Sequence, residues 1–324
     1  MTRFAAVRRT FMVLAGLAAA FPAFAQTSGQ PLRLILPVGP GSGVDTIVRT
    51  FGNAFSRELG QPVVIENQPG AGGVIGTQAL VKAAPDGRTL GVVSNNHVVF
   101  PSVYKNLPFD PIEDITPISV IGETPFVLAA NPAKVPASNV KDVIAAVKAK
   151  PADFNYGSSG SGTILHLAAA MFFVEAGVEV NHVPYKGVGP MVTDLIGGRI
   201  DFAVVPVPVL PGHLKSGALK AIGTTTSARA SSLPELPTIA EQGMPGFSVG
   251  GWFAAVGPAK LPAAEVKRVH AALLAALATP EVKEALARQG NLINPGTPEA
   301  AAQFFRVELA KYSGLARKIG LTAQ

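Results

Sequence analysis

A strand, a glycine-rich loop and a helix follow one another twice along this chain, and that pairing restricts the fold more than anything else in it. In the first instance the apolar run Leu32-Arg33-Leu34-Ile35-Leu36-Pro37 stops at Gly39-Pro40-Gly41-Ser42-Gly43, after which Val44, Ile47, Val48, Phe51 and Phe55 recur at helical spacing. In the second, Phe154-Asn155-Tyr156 leads into Gly157-Ser158-Ser159-Gly160-Ser161-Gly162-Thr163 and a helix from Ile164 to about Ala176. Further strands are predicted at Val63–Glu66, Thr89–Val93, Val180–Val183, Asp201–Val207 and Ala218–Thr224. Helices are predicted between them at Ile75–Lys82, Val140–Lys148 and Val188–Ile196. Alternation of this kind predicts mostly parallel sheets flanked by helices, with ligands bound beyond the carboxyl ends of the strands. The 324 residues exceed the roughly 250 to 300 that one core usually serves, so an α/β chain of two lobes is expected.

The lobes share a plan without a sequence repeat. From Pro101 to Pro136 the chain is Pro-rich and weakly periodic, apart from an extended apolar stretch at Phe126–Ala130, and is read as a crossover. Gly243 to Trp252 reads as a second crossover. Helices with Val266, Val269, Leu273 and Leu277 on one face, then over about 280–289 and 298–318, complete the chain. Residues 26–125 are therefore expected in the first lobe, 126–249 in the second, and 250–324 back in the first.

Arg3, Arg8 and Arg9 precede the apolar run Phe11–Ala20 and the small-x-small triplet Ala23-Phe24-Ala25, the pattern of a secretory signal peptide over residues 1–25. Its removal takes away three cations, so the formal net charge falls from +6 to +3. No later apolar run approaches the roughly 18 residues a membrane helix needs. The chain has no Cys, which excludes thiolate nucleophiles, Cys-ligated zinc and iron–sulfur clusters.

Both glycine loops open helices, where outward-facing backbone N–H groups and the helix dipole favour an anion. Facing one another, they would suit the two ends of a carboxylate ligand. Each taken alone is equally a turn and an N-cap. A dinucleotide fingerprint fails in the first loop because position 44 is Val. A nucleophile elbow fails in the second because position 161 is Ser after Gly157 and Ser159. Five scattered histidines show no metal-ligand spacing, and dispersed cations without interleaved aromatics argue against nucleic acid. No metal or other cofactor is expected. Asp45, in the first helical turn, is expected to complement the dipole and hold its loop in place of touching ligand. Trp252, beside a glycine pair, is expected in the core, and His166 to reach a bound anion or to cap its helix.

Several blocks in one order carry a resemblance. They include Pro37-x-x-Pro40-Gly41-x-x-x-Asp45, Glu66-Asn67-x-Pro69-Gly70-Ala71-Gly72-Gly73, Leu107-Pro108-Phe109-Asp110-Pro111 and Tyr156-Gly157-Ser158-x-Gly160-x-Gly162-Thr163-x-x-His166-Leu167. His182-Val183-Pro184-Tyr185-Lys186-Gly187 and Asp194-Leu195-x-x-Gly198-x-x-Asp201 follow. From about residue 31 onward the chain resembles the Bug or TctC extracytoplasmic solute receptors of tripartite tricarboxylate transporters. The resemblance implies a periplasmic, monomeric, type II-like binding protein that closes on a small carboxylate and catalyses nothing. Its partners would be inner-membrane permease subunits or, alternatively, a sensor kinase ectodomain; an exported hydrolase is the enzyme alternative.

The expected ligand contacts are Val38 as an apolar wall, with Gly39, Gly41, Ser42 and Gly43 as donors from lobe one. Ser158, Ser159, Gly160, Thr163 and His166 are expected from lobe two, and Ser94 and Asn95 from the end of the third strand. Asp45 and Asp201 are expected to position loops. Where family members usually carry an aromatic residue and Pro, this chain has Val38-Gly39; Ser42 replaces a Gly and Ala170 a Glu. The smaller first loop predicts a wider pocket, suited to a bulky or aromatic mono- or dicarboxylate.

Overall fold

The computed structural model describes residues 30–323; the signal peptide expected over 1–25 lies outside them. The first sheet is entered through β1 (Leu32–Leu36), α1 (Gly43–Leu59), β2 (Val63–Asn67), α2 (Val74–Val81), β3 (Thr89–Ser94), α3 (Asn96–Val103) and β4 (Ile115–Thr124). The chain then builds a second sheet from β5 (Phe126–Ala130), α4 (Val140–Ala149), β6 (Asn155–Ser158), α5 (Ile164–Glu175) and β7 (Asn181–Pro184). That sheet is completed by α6 (Val188–Ile196), β8 (Phe202–Pro206), α7 (Pro211–Lys215) and β9 (Lys220–Thr224). The return path is β10 (Gly251–Pro258), α8 (Ala263–Ala278), α9 (Pro280–Arg288), β11 (Leu292–Ile293) and α10 (Pro298–Lys318).

Strand order is β11-β4-β10-β3-β1-β2 in one sheet and β7-β6-β8-β5-β9 in the other. Both sheets are mixed, which corrects the expectation of mostly parallel ones. The β1–β2, β1–β3, β6–β7 and β6–β8 pairs are parallel as βαβ units require, but β10 and β5 run antiparallel to both their neighbours. β10 and β5 are the strands on which the chain arrives from the other sheet, where no crossover helix sets direction; the two-residue edge strand β11 is likewise antiparallel to β4.

The Pro-rich stretch also differs from expectation. It contains the last turn of α3 and the ten-residue β4, and the passage between sheets is only the turn at Pro125. Alternation in β4 is obscured because it is an interior strand between β10 and β11, buried at Ile118, Ser119 and Ile121 and interrupted by register shifts. The two connections lie side by side: Thr225 N–H donates to the Phe126 carbonyl at 2.9 Å and Val249 N–H to the Thr225 carbonyl at 2.8 Å.

Leu34, Ile47, Phe51, Phe55, Phe253 and Leu273 belong to the core on one face of the first sheet. A larger core of Leu128, Leu167, Phe172, Phe202 and Val205 fills the second sheet and continues through Val98, Phe305 and Tyr312. Through that continuation α10 packs on β4 and α3 as well as on α5, so it straddles both sheets. No helix among the described residues is long and apolar enough to cross a membrane.

Candidate functional site

Between the sheets lies a cavity of about 220 Å³, bordered by the starts of α1 and α5, the ends of β3 and β8, and both connections. Ser42 caps α1 by accepting the Asp45 N–H at 3.2 Å, and Thr163 caps α5 by accepting the His166 N–H at 3.4 Å. Each cap leaves the next two N–H groups without partners among the described residues: Gly43 and Val44 on one side, Ile164 and Leu165 on the other. All four of these residues line the cavity.

The remaining wall is apolar or neutral. Ile47, Phe126, Pro206, Trp252 and Phe253 supply carbon surface; Ser94, Asn95, Asn96, Thr124 and Ser159 supply polar groups. No charged side chain lines the cavity among the described residues. Asn95 is almost fully buried, and its amide orientation is fixed because Nδ2 donates to the Gly250 carbonyl and the Tyr312 hydroxyl, both at 3.0 Å. Trp252, the only tryptophan, is buried as expected but also faces the cavity, while its Nε1–H donates to Glu308 Oε2 at 2.7 Å.

The structure therefore brings Ser42, Gly43, Ser94, Asn95, Ser159 and Thr163 to the cavity and places the other expected residues elsewhere. Val38 borders a separate narrow crevice with Pro37 and Thr77, so the apolar wall comes from α1, α5 and the connections. Gly39 and Gly41 lie off the cavity, and the Gly41 N–H is already taken by Asp45 Oδ2 at 2.8 Å. Gly160 N–H is likewise used, donating to Ser158 Oγ at 3.2 Å. Ser158 is fully buried, with its hydroxyl 2.6 Å from His182 Nε2. His166 points to the far side of the loop, where Nδ1 accepts the Gly162 N–H at 3.1 Å and the ring stacks on His182 at 3.9 Å. Burial, with His182 adding to it, pushes the His166 pKa down to about 4, so this ring is neutral and is not a charged donor to the cavity.

Asp45 is built as a loop anchor. Besides Gly41 it accepts from Arg49 Nε and from Asn67 Nδ2, each at 2.9 Å. Burial alone would raise its pKa, but the Arg49, Gly41 and Asn67 donors outweigh this and lower it. Asp201 does not hold the 158–163 loop: it accepts the Asn155 N–H at 2.8 Å, at the start of β6, while that loop leaves the strand's other end at Ser158. Ala170 also lies away from the cavity, on the opposite face of α5, so its small size does not widen the cleft. No cluster of three or more potential metal-ligating side chains occurs among the described residues.

Sequence reasoning missed Val44, Ile47, Ile164 and Leu165, whose apolar character reads as helix core. The cap pattern held the signal, since the free N–H groups fall after the capping hydroxyl and not within the glycine run. Pro206, at the carboxyl end of β8, follows from the same strand-end rule that points to Ser94 and Asn95.

Two mixed α/β sheets joined by paired connections, with two free helix N-termini meeting at one uncharged cavity, define a two-lobed solute-binding protein. The model of the TctC family, the tripartite tricarboxylate transporter family receptors, matches residues 47–321, and the chain belongs to this family. It is 35% identical over 323 residues to protein BugT of Bordetella pertussis, covering 99% of this chain and 98% of that relative. Among solved structures, periplasmic binding protein BugD is similar with a TM-score of 0.77 at 30% identity, over 91% of this chain and 99% of its own. An R. palustris protein solved with adipate has a TM-score of 0.80 at 29% identity, with the same coverage.

Proposed function

We propose that this chain is an exported receptor that captures a small organic carboxylate between its lobes and delivers it to the inner-membrane permease of a tripartite tricarboxylate-type transporter. The observation that carries this reading is the convergence of two free helix N-termini on one uncharged cavity. Carboxylate oxygens would sit on the Gly43 and Val44 N–H groups at one end, and on Ile164 and Leu165 at the other. Ser42, Ser159 and Thr163 hydroxyls flank these positions, and Phe126, Trp252 and Phe253 would cover an apolar or aromatic middle. Residues 26–125 with 250–324 would form one lobe and 126–249 the other, closing about the connections near Phe126, Thr225 and Val249. The adipate in the R. palustris relative supports a dicarboxylate. Nothing in the binding step requires catalysis.

The test uses Trp252, which faces the cavity and is the chain's sole indole. Mature protein is titrated with adipate, succinate, phthalate, benzoate and citrate while indole emission and melting temperature are followed. A saturable emission change with a dicarboxylate, accompanied by a higher melting temperature, is expected; a ligand at 100 times its dissociation constant stabilises by about 2.7 kcal/mol. No response to any of the five would refute the carboxylate reading.

A further inference from the structure

The 158–163 loop has a second face. Behind it, between α5, the start of β7 and the end of α10, lies a cavity of about 610 Å³ bordered by Tyr156, Ser161, His166, Glu179, His182 and Lys318. Tyr156, His166 and His182 form one stack, with His182 ring centroids 3.9 Å from His166 and 5.0 Å from Tyr156. Tyr156 is 5% exposed and His166 7%, yet the Tyr156 hydroxyl and His166 Nε2 have no hydrogen-bond partner among the described residues. Neither atom is itself buried: both open onto this cavity, so whatever fills it, water or ligand, must pair with them.

The backbone fixes what His166 can offer. Gly162 N–H donates to Nδ1, so Nδ1 carries no proton and the neutral ring must carry it on Nε2. His166 Nε2 is thus a committed donor. It cannot ligate a metal while that bond stands, because its lone pair is occupied by the proton. Tyr156 adds a second donor at the same wall, and the exposed Lys318 brings a positive charge to the rim, opposed by Glu179. Donors without acceptors call for an oxygen on the ligand.

We propose that this cavity is a second small-molecule site, distinct from the interlobe cleft, which holds a carboxylate on the His166 Nε2–H and the Tyr156 hydroxyl with Lys318 at its mouth. The stacked rings and the neighbouring Phe173 and Val178 suit a flat apolar body behind the carboxylate. Because Ser161 and His166 border this cavity while Ser159 and Thr163 border the cleft, one short loop forms a wall of both. An occupant here would bear directly on the loop that caps α5.

The probe is benzoate, titrated into ¹⁵N-labelled mature protein while histidine ring nitrogens are followed by long-range ¹H–¹⁵N NMR. Saturable shifts are expected for His166 and His182, with His213 and His270 unmoved. They should persist in Gly43→Glu, which places a carboxylate at the cleft, where a side chain at Gly43 meets open space. They should weaken at least tenfold in Tyr156→Phe, which keeps the ring stack, and in Lys318→Ala. A response that never saturates, one that Gly43→Glu abolishes, or one that Tyr156→Phe leaves unchanged would overturn the proposal. None of these outcomes touches the cleft reading, which Trp252 emission reports separately.

Discussion

Replacing Asp45 with Asn isolates what holds the first loop. The carboxylate accepts three donors at 2.8 to 2.9 Å, from Gly41 N–H, Arg49 and Asn67, and its side chain is 5% exposed. An amide has one oxygen and one NH2 group, so one set of donors must face another donor. The less costly rotamer keeps Gly41 and turns the NH2 toward Arg49 and Asn67. Arg49 is half-exposed and also reaches Asn67 Oδ1, so it relaxes cheaply, whereas Asn67 Nδ2 retains only a 3.3 Å contact to the Val38 carbonyl. Losing charge-assisted bonds of this kind costs about 2 kcal/mol, given 1.5–3 for a hydrogen bond to a charged group and partial compensation by water. For a chain of this size that lowers the melting temperature by roughly 4 °C. The sign with pH follows from the lowered Asp45 pKa: the stabilisation is complete above the unfolded value and is lost as pH falls through the folded one. Thermal melts of both proteins at pH 7 and in steps below pH 4 are the assay. The Asn variant should start lower and the two curves should converge in acid. Equal melting temperatures at pH 7, or a constant gap down to pH 2, would refute the anchor role.

Acid should also destabilise the protein through two histidines. His97 and His166 are buried with pKa values pushed down to about 4 by burial, so the unfolded chain binds protons that the folded chain refuses between about pH 6.5 and 4. Each costs up to about 3 kcal/mol across that window, and His97→Gln should flatten part of the slope in a denaturant-versus-pH series. Gly162→Ala should weaken cleft binding, because φ is +74° and a Cβ would stand 2.6 Å from Val103 of α3, across the gap between sheets. Calorimetric titration with whichever carboxylate moves Trp252 emission checks this, and unchanged affinity would show that α3 and the loop need not approach so closely. Glu308→Ala strands the Trp252 N–H and leaves Lys311 with only the Ser248 carbonyl, an expected loss of about 2–3 kcal/mol in a urea melt.

The strand-loop-helix units were legible because each obeys local rules: apolar period, glycine stop and hydroxyl cap stand within twenty residues of each other. Ser42 and Thr163 could be placed on that basis, as could Ser94 and Asn95 by strand-end geometry. What could not be read was set by distant partners. β4 is a strand only because β10, more than a hundred residues later, pairs with it, and the antiparallel β5 and β10 depend on where the chain re-enters each sheet. The same holds for side-chain direction. His166 lies three residues after the cap, on the helix that serves the cleft, yet it turns away because Gly162 and His182 hold it. Gly41 was a plausible donor until Asp45 consumed its N–H.

The uncharged cleft limits how the proposed ligand can be recognised. A micromolar receptor needs about 8 kcal/mol of binding free energy. A helix N-terminus supplies typically 0.3–1 kcal/mol, up to about 2 when partly buried, so two termini cannot provide most of it. Among the described residues no Arg or Lys lines the cavity to make up the difference, and the remainder must come from the Ser42, Ser159 and Thr163 hydroxyls and, chiefly, from the carbon surface of Phe126, Ile47, Trp252 and Phe253. Selectivity should then lie in the ligand's middle. In a series of straight-chain dicarboxylates each added methylene should gain about 0.8 kcal/mol, close to fourfold in affinity, while both carboxylates still reach Gly43–Val44 and Ile164–Leu165. Beyond that length affinity should fall abruptly, since one end must abandon its N–H groups. Titrations from succinate to suberate, read by Trp252 emission, follow the whole curve. Affinity independent of chain length, with citrate and succinate bound as well as adipate, would place the binding energy in the charged ends and contradict the reasoning.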